Sequence, residues 1–449
     1  MDFQEIRQAA VDAAKELQIQ DYELYYQCDG SDDLQTFDGE IEKFSSSVTQ
    51  GFCFKCVVDG KMGYAATELF TAGEARAIVK KALQSAQICE SDDMVFVHQK
   101  GDSYAEIENH PDTGVLTPQY IDFALKAEKL CFEKDSRVVK GTQCSVSEMS
   151  KTVTLFNSNG LELSHTNKSV GAVLEVVAED KGEKFTAYHY DIAERFEQLD
   201  MEKLVHKTVE KAVSQIGGSS VPSGEYRIVM DNLQMAAMLS IFDSVFSSEN
   251  AQKGLSLLKG KEGEIIASEA VTVVDDPLYK TSPVRSPFDA EGVATYAKNV
   301  IENGRLNTLL YNLKTAYKEG KKTTGNAYKD SYSSNVSVSP FTFYLKPSEL
   351  PVSELYKTVE NGILITQMKG AHAGANSVTG DFSLESKGFL IENGRVTRPV
   401  EGITIAGNFF TMLRDIEAVA DNLAFSLPGS GSIYGAPSVY VKGLSVAGV

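Results

Sequence analysis

The chain has 449 residues and a formal net charge of −19, from 43 Lys and Arg against 62 Asp and Glu. That length exceeds one ordinary hydrophobic core and implies two or three domains, and a content of 42% hydrophobic and 23% charged residues is that of a soluble globular protein. So acidic a surface repels phosphate backbones and excludes direct nucleic-acid contact without a local basic patch; the short runs Lys259-Gly260-Lys261 and Lys318 to Lys322, diluted by acids, do not make one.

No apolar run approaches the ~20 residues of a membrane span, and the opening MDFQEIRQAAVDAAKELQIQ has neither a basic n-region nor an apolar h-region. The expectation is a cytoplasmic protein without membrane contact. Six cysteines (Cys28, Cys53, Cys56, Cys89, Cys131, Cys144) fit reduced thiols in that compartment. Cys53 and Cys56 form a CxxC inside the apolar run Gly51–Val58, where residues three apart point to opposite faces of a strand. They are expected to fill core rather than share a metal.

In chain order, Phe3, Ile6, Ala10, Ala13 and Leu17 recur at helical spacing. Strands are expected at Tyr22–Gln27, Ile41–Thr49, Gly51–Val58 and Met62–Ala66, the last two joined by Asp59-Gly60. Thr71 with Glu74 reads as a capping box before a helix face of Ala77, Ile78, Leu83 and Ala86. These elements make an N-terminal α+β domain, 1–90. The polar segment 91–116, with Pro111, reads as a connection. Thr117-Pro118 starts a helix carrying Ile121, Leu125 and Leu130. An antiparallel series follows at Thr142–Glu148, Lys151–Phe156, Leu161–His165, Val170–Ala178 and Phe185–Tyr190, with a turn at Asn159-Gly160, and then a helix from Asp200 to Ile216 stopped by Gly217. The central α+β domain spans 91–220, and GGSSVPSG (217–224) is its linker to a third domain, 221–449.

The third domain opens with a strand at Tyr226–Met230 and apolar residues at helical spacing over Asn232–Phe246. Further on, Gly388–Ile391 and Ile403–Ala406 flank Glu392-Asn393-Gly394, a strong hairpin signal because both central residues of a type I′ turn need φ > 0. Pro399 is expected to end the second arm. Gly429 to Ser432 reads as a loop before a last strand at Ser438–Val441. GSGS there lacks the strand-to-helix context of a phosphate loop, and no G-x-S-x-G elbow supports serine catalysis.

The wording of several stretches carries more. GDFSLESKGFLIENGRVTRPVEGITIAGN (380–408), GFCFKCVVDGKMGYAATELF (51–70), NSNGLELSH (157–165), ASEAVTVVDDP (267–277), FDAEG (288–292), VIENGRLNTLLYN (300–312) and TTGNA (323–327) resemble segments of the TldD/PmbA family, in its PmbA (TldE) branch and in the family's order. The resemblance implies a PmbA/TldD-like α+β fold with an N-terminal α+β domain, central antiparallel β structure with helices, and a large β-rich C-terminal domain.

It also directs attention to missing chemistry. A helical zinc site needs two imidazoles on one face and a glutamate to activate the metal-bound water. The histidines here (98, 110, 165, 189, 206 and 372) are never so spaced, and no cysteine follows Cys144. In the TldD branch an HExxxH helix follows the first strand of the C-terminal domain, and a cysteine near the C-terminus completes the site. Against that pattern, Met238 and Leu239 stand where His-Glu would be and Asp243 where the second His would be, with a one-residue shift as the alternative register. The resemblance therefore implies no cofactor in this chain, zinc in a TldD-like HExxxH partner, and a non-catalytic subunit, inactive alone, of a metalloprotease acting on unfolded or leader peptides; a homodimer is possible in isolation.

KGAHAGANSVTGDFS (369–383) supplies candidate substrate- or partner-loop residues, Gly370, His372, Gly374, Asn376, Gly380, Asp381 and Phe382, against the plainer reading of a turn with an exposed histidine. Asp275-Asp276-Pro277 and Asp289 with Glu291 are expected to be turn residues and a solvated acidic edge. The rival function is a regulatory binding protein of the kind labelled modulator of DNA gyrase, with no proteolytic role.

Overall fold

The computed structural model describes residues 3–90, 94–107, 117–428 and 431–449. Pro111, much of the expected connection around it, and Gly429-Ser430 lie outside the described residues.

Helix α1 (Phe3–Glu16) precedes strands β1 (Asp21–Phe37), β2 (Glu40–Val58) and β3 (Lys61–Thr67), and α2 (Ala72–Ile88) follows, capped by the Thr71 hydroxyl accepting from Glu74 N. Then come α3 (Thr117–Lys134), β4 (Val138–Asn157), β5 (Glu162–Asp180), β6 (Glu183–Ala193) and α4 (Met201–Ser214). The six strands form one antiparallel sheet, ordered β3-β2-β1-β4-β5-β6. Strands on either side of residue 90 thus share a ladder, from Glu23↔Asn157 to Phe37↔Gln143. Asp38-Gly39, Asp59-Gly60 and Lys181-Gly182 close two-residue hairpins, every one of these residues having φ > 0. Helices α1 and α2 cover one end of the sheet through Ile6, Phe52, Phe54 and Ile78, and α3 and α4 cover the other through Phe123, Val146, Leu174 and Leu204.

The strands are longer than their apolar runs indicate. The runs expected as Ile41–Thr49 and Gly51–Val58 are one strand, and the four between Thr142 and Ala178 are two. Gly51 marks a close approach rather than a break: a Cβ there would sit 2.3 Å from the Tyr332 ring of the C-terminal half.

In the C-terminal half the strands are β7 (Gly224–Met230), β8 (Val273–Asp275), β9 (Lys298–Glu302), β10 (Arg305–Leu306), β11 (Ala327–Tyr328), β12 (Ser337–Val338), β13 (Thr342–Leu345), β14 (Gly362–Lys369), β15 (Asp381–Glu392), β16 (Arg395–Asn408), β17 (Ile416–Val419), β18 (Ala424–Phe425), β19 (Ile433–Ala436) and β20 (Val439–Ala447). One sheet runs β16-β15-β14-β7-β20-β17 and curls, because β16 also pairs with β20; the other runs β10-β9-β8-β13-β19-β18. Helix α5 (Asn232–Phe242) packs on β13, β18 and β19 of one sheet and β14 of the other. Met235, Ala236, Met238, Leu239 and Phe242 are buried, and Phe242 stacks on Phe409 at 4.5 Å. Full burial of such side chains stabilises by roughly 1.5–3 kcal/mol each.

The β15–β16 hairpin turns at Asn393-Gly394, with φ of 51° and 72°. Pro399 does not end its second arm. It pairs with Phe389 and β16 continues to Asn408, because Pro399 lies on the part of β16 that precedes its pairing with β20, where no ladder N–H is required. The GGSSVPSG linker is likewise anchored: Ser219 bridges to Val400, and Val221 is buried and accepts from Val449 N at 3.0 Å.

Candidate functional site

Helix α5 has one face that does not enter the core. Leu233, Gln234, Ala237 and Ser240 line a cleft of about 450 Å3 whose other walls include Thr186, Ala187, Tyr188 and Tyr190 of β6, Lys211 and Ser214 of α4, and Thr366–Met368 of β14. The β14 wall is a strand edge. β14 pairs with β7 only from Ile363 to Ile365, where Asp231 N also takes the Ile365 carbonyl. Beyond Ile365 it keeps β15 on one side only, and no segment among the described residues bonds to the other. A free edge presents main-chain donors and acceptors at the spacing another extended chain requires.

The electrostatics of the cleft follow from burial. Asp231 caps α5, its Oδ1 accepting from Gln234 N at 2.8 Å, and burial pushes its carboxyl up to about 6. His189 of β6 lies 3.4 Å from Lys211 Nζ through its Nδ1. Burial first, and then the ammonium groups of Lys211, Lys207 and Lys203, push this imidazole down to about 3. Burial also lowers Lys211 itself.

Met238 and Leu239 have no solvent exposure and belong to the core, not to the cleft. Asp243 follows the end of α5; its Oδ2 accepts from Tyr434 OH at 2.5 Å, and burial pushes its carboxyl up. A one-residue shift would bring Ala237 or Ser240 to the cleft in their place. In either register the helix offers thioether, alkyl and hydroxyl groups, with its one carboxylate engaged by a phenol. This donor set does not fit zinc, and among the described residues no group of three or more His, Cys, Asp or Glu could hold an ion.

The candidate loop follows Lys369 at the end of the free edge. Gly370 (φ 80°) starts a one-turn helix on which His372 is exposed, outside the cleft lining. Gly374 permits a backbone approach, since a Cβ there would sit 2.2 Å from the Ser383 carbonyl oxygen. Asn376 Oδ1 accepts from Val378 N and Thr379 N. Gly380 (φ 84°) leaves room for the Phe410 ring. Asp381 accepts from Asn408 Nδ2 at 2.9 Å, which holds its carboxyl below the usual range. Phe382 is buried edge-on to Phe242. The structure therefore does not bring these seven residues together as one set of side chains; most shape the loop, and Phe382 anchors it.

With this geometry in view, family models match nearly the whole length: PmbA/TldA metallopeptidase domain 1 at residues 22–86, the central domain at 111–216 and the C-terminal domain at 223–448. The chain belongs to the PmbA/TldD family. A Thermotoga maritima crystal structure, described as a modulator of a DNA gyrase, is 32% identical with a TM-score of 0.90 and covers 99% of this chain and 100% of its own. TldE from Thermococcus kodakarensis shares the fold at 21% identity, with a TM-score of 0.88 over 99% of this chain and 100% of its own. The metalloprotease PmbA homologue of Haemophilus influenzae is 25% identical over 80% of this chain and 78% of its own. No helix among the described residues of this PmbA/TldD chain is long and apolar enough to cross a membrane.

In this PmbA/TldD chain the carboxylates expected on a solvated edge are buried. Asp275 has no exposure and binds Lys298 Nζ at 3.0 Å, Asn326 Nδ2 at 2.7 Å and Phe341 N at 2.8 Å. Asp289 accepts from the backbone N–H groups of Glu291, Val293 and Ala327, while burial and Glu291 push it up to about 8. Glu291 lines a second cavity, of about 290 Å3, where the first sheet meets the C-terminal half. There Lys55 pairs with Glu23 at 3.3 Å, and Lys329 sits over the Tyr25 and Tyr64 rings with Nζ 3.1 Å from Cys53 Sγ. The turn chemistry was read correctly, since Asp276 Oδ1 accepts from Leu278 N; what local sequence lacks is the sheet that covers these turns. Cys53 and Cys56 are both buried, in separate clusters.

Sequence reasoning missed two features of the cleft. The free edge of β14 has no local signal, because it depends on where β7 stops. Lys203, Lys207 and Lys211 do have one: four-residue spacing on a recognised helix, passed over because basic patches were sought as contiguous runs.

Proposed function

We propose that this chain is the non-catalytic partner subunit of a TldD/TldE-type zinc metalloprotease, cytoplasmic and acting in proteolysis of unfolded or leader peptides. The observation that supports this most is the conjunction in one cleft of a free β edge at Thr366–Met368 and an α5 face of Leu233, Gln234, Ala237 and Ser240. The edge can hold peptide main chain; the helix offers nothing that would activate water. An extended peptide adds to β14 through backbone hydrogen bonds, so recognition depends weakly on side chains and requires a chain free of its own structure. Zinc in the TldD-like subunit would supply the Lewis acid and the activated water. In isolation the chain is inactive, and light scattering tells whether it then pairs with a second copy of itself.

The test is expression of this chain alone and with its organism's HExxxH paralogue, followed by zinc analysis, hydrolysis of an unstructured peptide, and light scattering. Zinc and cleavage confined to the joint sample support the reading. Chelator-sensitive cleavage by this chain alone overturns it. The description of the Thermotoga maritima relative favours a second reading, regulatory binding to gyrase without proteolysis. Capture of gyrase by this chain with no TldD-like subunit present would establish that one; the −19 charge argues against direct DNA contact.

A further inference from the structure

The cleft that holds the free edge of β14 has a second unpaired edge among its walls. β6 is the last strand of the first sheet and pairs with β5 alone, from Asp180↔Glu183 to Val170↔Ala193. Among the described residues no main-chain group bonds to its outer side. Thr186, Ala187 and Tyr188 all line the cleft, as do Thr366, Gln367 and Met368 of β14. Successive side chains of a strand point to opposite faces, so a cleft lined by three in a row borders the edge of the strand rather than either face. The two edges come from different sheets, one in each half of the chain, and share the cleft with the α5 face. The Tyr190 hydroxyl donates to the Phe425 carbonyl at 3.0 Å, which holds β6 against the C-terminal half. Neither Thr186–Tyr190 nor Thr366–Met368 carries the lysine or proline that blunts an exposed edge. Gln215 Oε1, in the same cleft, is buried and accepts no hydrogen bond among the described residues; a buried acceptor is rarely left so.

We propose that the cleft is a slot between two strand edges, in which one extended peptide pairs with β14 on one side and with β6 on the other. This rests on the peptide-cleft reading above and names its substrate class: segments with a free N–H at every residue over a span the length of Thr186–Tyr190. In an extended chain successive residues turn their N–H and C=O groups to opposite sides. One edge therefore reads alternate residues and tolerates an N-substituent on the others, whereas two edges read every residue. Proline has no N–H to give, so a proline anywhere in the span is rejected. A strand already paired within a folded protein is rejected as well. The Gln215 carbonyl is left for a further N–H of the bound segment.

The test uses three labelled, unstructured, proline-free peptides of one sequence, all acetylated and amidated. One is unmodified, one is N-methylated at every second residue and one at every residue. Alternate methylation leaves one side of the strand intact and blocks the other in any register, so sliding cannot rescue it. In fluorescence anisotropy the unmodified peptide should bind, and alternate methylation should weaken it at least ~ten-fold, the effect of losing about two main-chain hydrogen bonds. Hydrogen exchange of the full chain, with the unmodified peptide at saturation, should slow at amides within both 186–190 and 366–368. Equal binding of the unmodified and alternately methylated peptides, or slowed exchange at 366–368 alone, means a single edge; it overturns the slot and leaves the peptide cleft standing. Undiminished binding of the fully methylated peptide, or binding of none, overturns the peptide cleft and the slot with it.

Discussion

Two polar regions of this molecule are built from the same residue types to opposite ends. At the junction between the first sheet and the C-terminal half, and in the adjoining core, each buried cation has a partner: Lys298 on Asp275, Lys55 on Glu23, Lys329 between two tyrosine rings. Along α4, among the described residues, no lysine lies within ion-pair distance of a carboxylate, and Lys211 meets the His189 ring nitrogen instead. Buried charge must be matched within the fold, because desolvation costs several kcal/mol per ion. Charge at a groove is partly hydrated and can await a ligand. Pairing therefore distinguishes groups that hold the halves together from groups whose charge water screens.

Substitutions should break this contrast in order of burial. Asp275→Ala leaves Lys298 charged and buried without its counter-ion, and should cost about 3–5 kcal/mol in urea unfolding. A loss below ~1 kcal/mol would show that water reaches Lys298. The Glu23–Lys55 pair borders a cavity, so Glu23→Gln or Lys55→Met should cost less, about 1–3 kcal/mol each. A double-mutant cycle should show the two losses to be non-additive; simple addition would mean the pair does not act as one. By contrast, Lys203→Gln should change stability by no more than ~0.5 kcal/mol. That small effect on folding, beside the loss expected at Asp275, is the contrast at its sharpest.

Asp231 belongs to neither class, and pH separates it. Burial raises its folded-state pKa to about 6, above its unfolded value, so its stabilising contribution is complete below the ordinary carboxylate range and is lost as pH rises through 6. Asn caps helices as well as Asp does. Asp231→Asn should therefore gain stability relative to wild type between pH 4 and 7, measured by denaturant unfolding at each pH. Parallel curves would mean that Asp231 is already ionised at pH 4.

Much of the architecture was legible from local chemistry. Asp59-Gly60 and Asn393-Gly394 were recognised as turns because only a few residue types tolerate φ > 0 at both positions, and the α5 region announced itself by apolar residues at helical spacing. Strand lengths were not legible, because the polar stretch Ser45–Gln50 continues a ladder whose faces there meet solvent, and Gly51 looks the same in sequence whether a strand breaks or a ring from another domain presses on it. Pro399 misled for a related reason, since its tolerance depends on which part of β16 has a neighbour. At the site, the residue types that α5 carries could be read outright. The free edge of β14 and the burial of Asp275, Asp289 and Glu291 could not, because each depends on segments distant in sequence.

The ladder joining β1 to β4 also fixes an order of events during synthesis. The hairpins of β1, β2 and β3 can form as soon as they are made, but the other side of β1 must wait until the chain has been extended from Phe37 to Asn157. At ~5–20 residues per second, β1 stands as an open edge for roughly ten seconds. Such an edge invites pairing with other nascent chains. Asp29, Asp32 and Asp33 lie along its outer half, a run of like charge that repels a second copy of the same strand until β4 arrives.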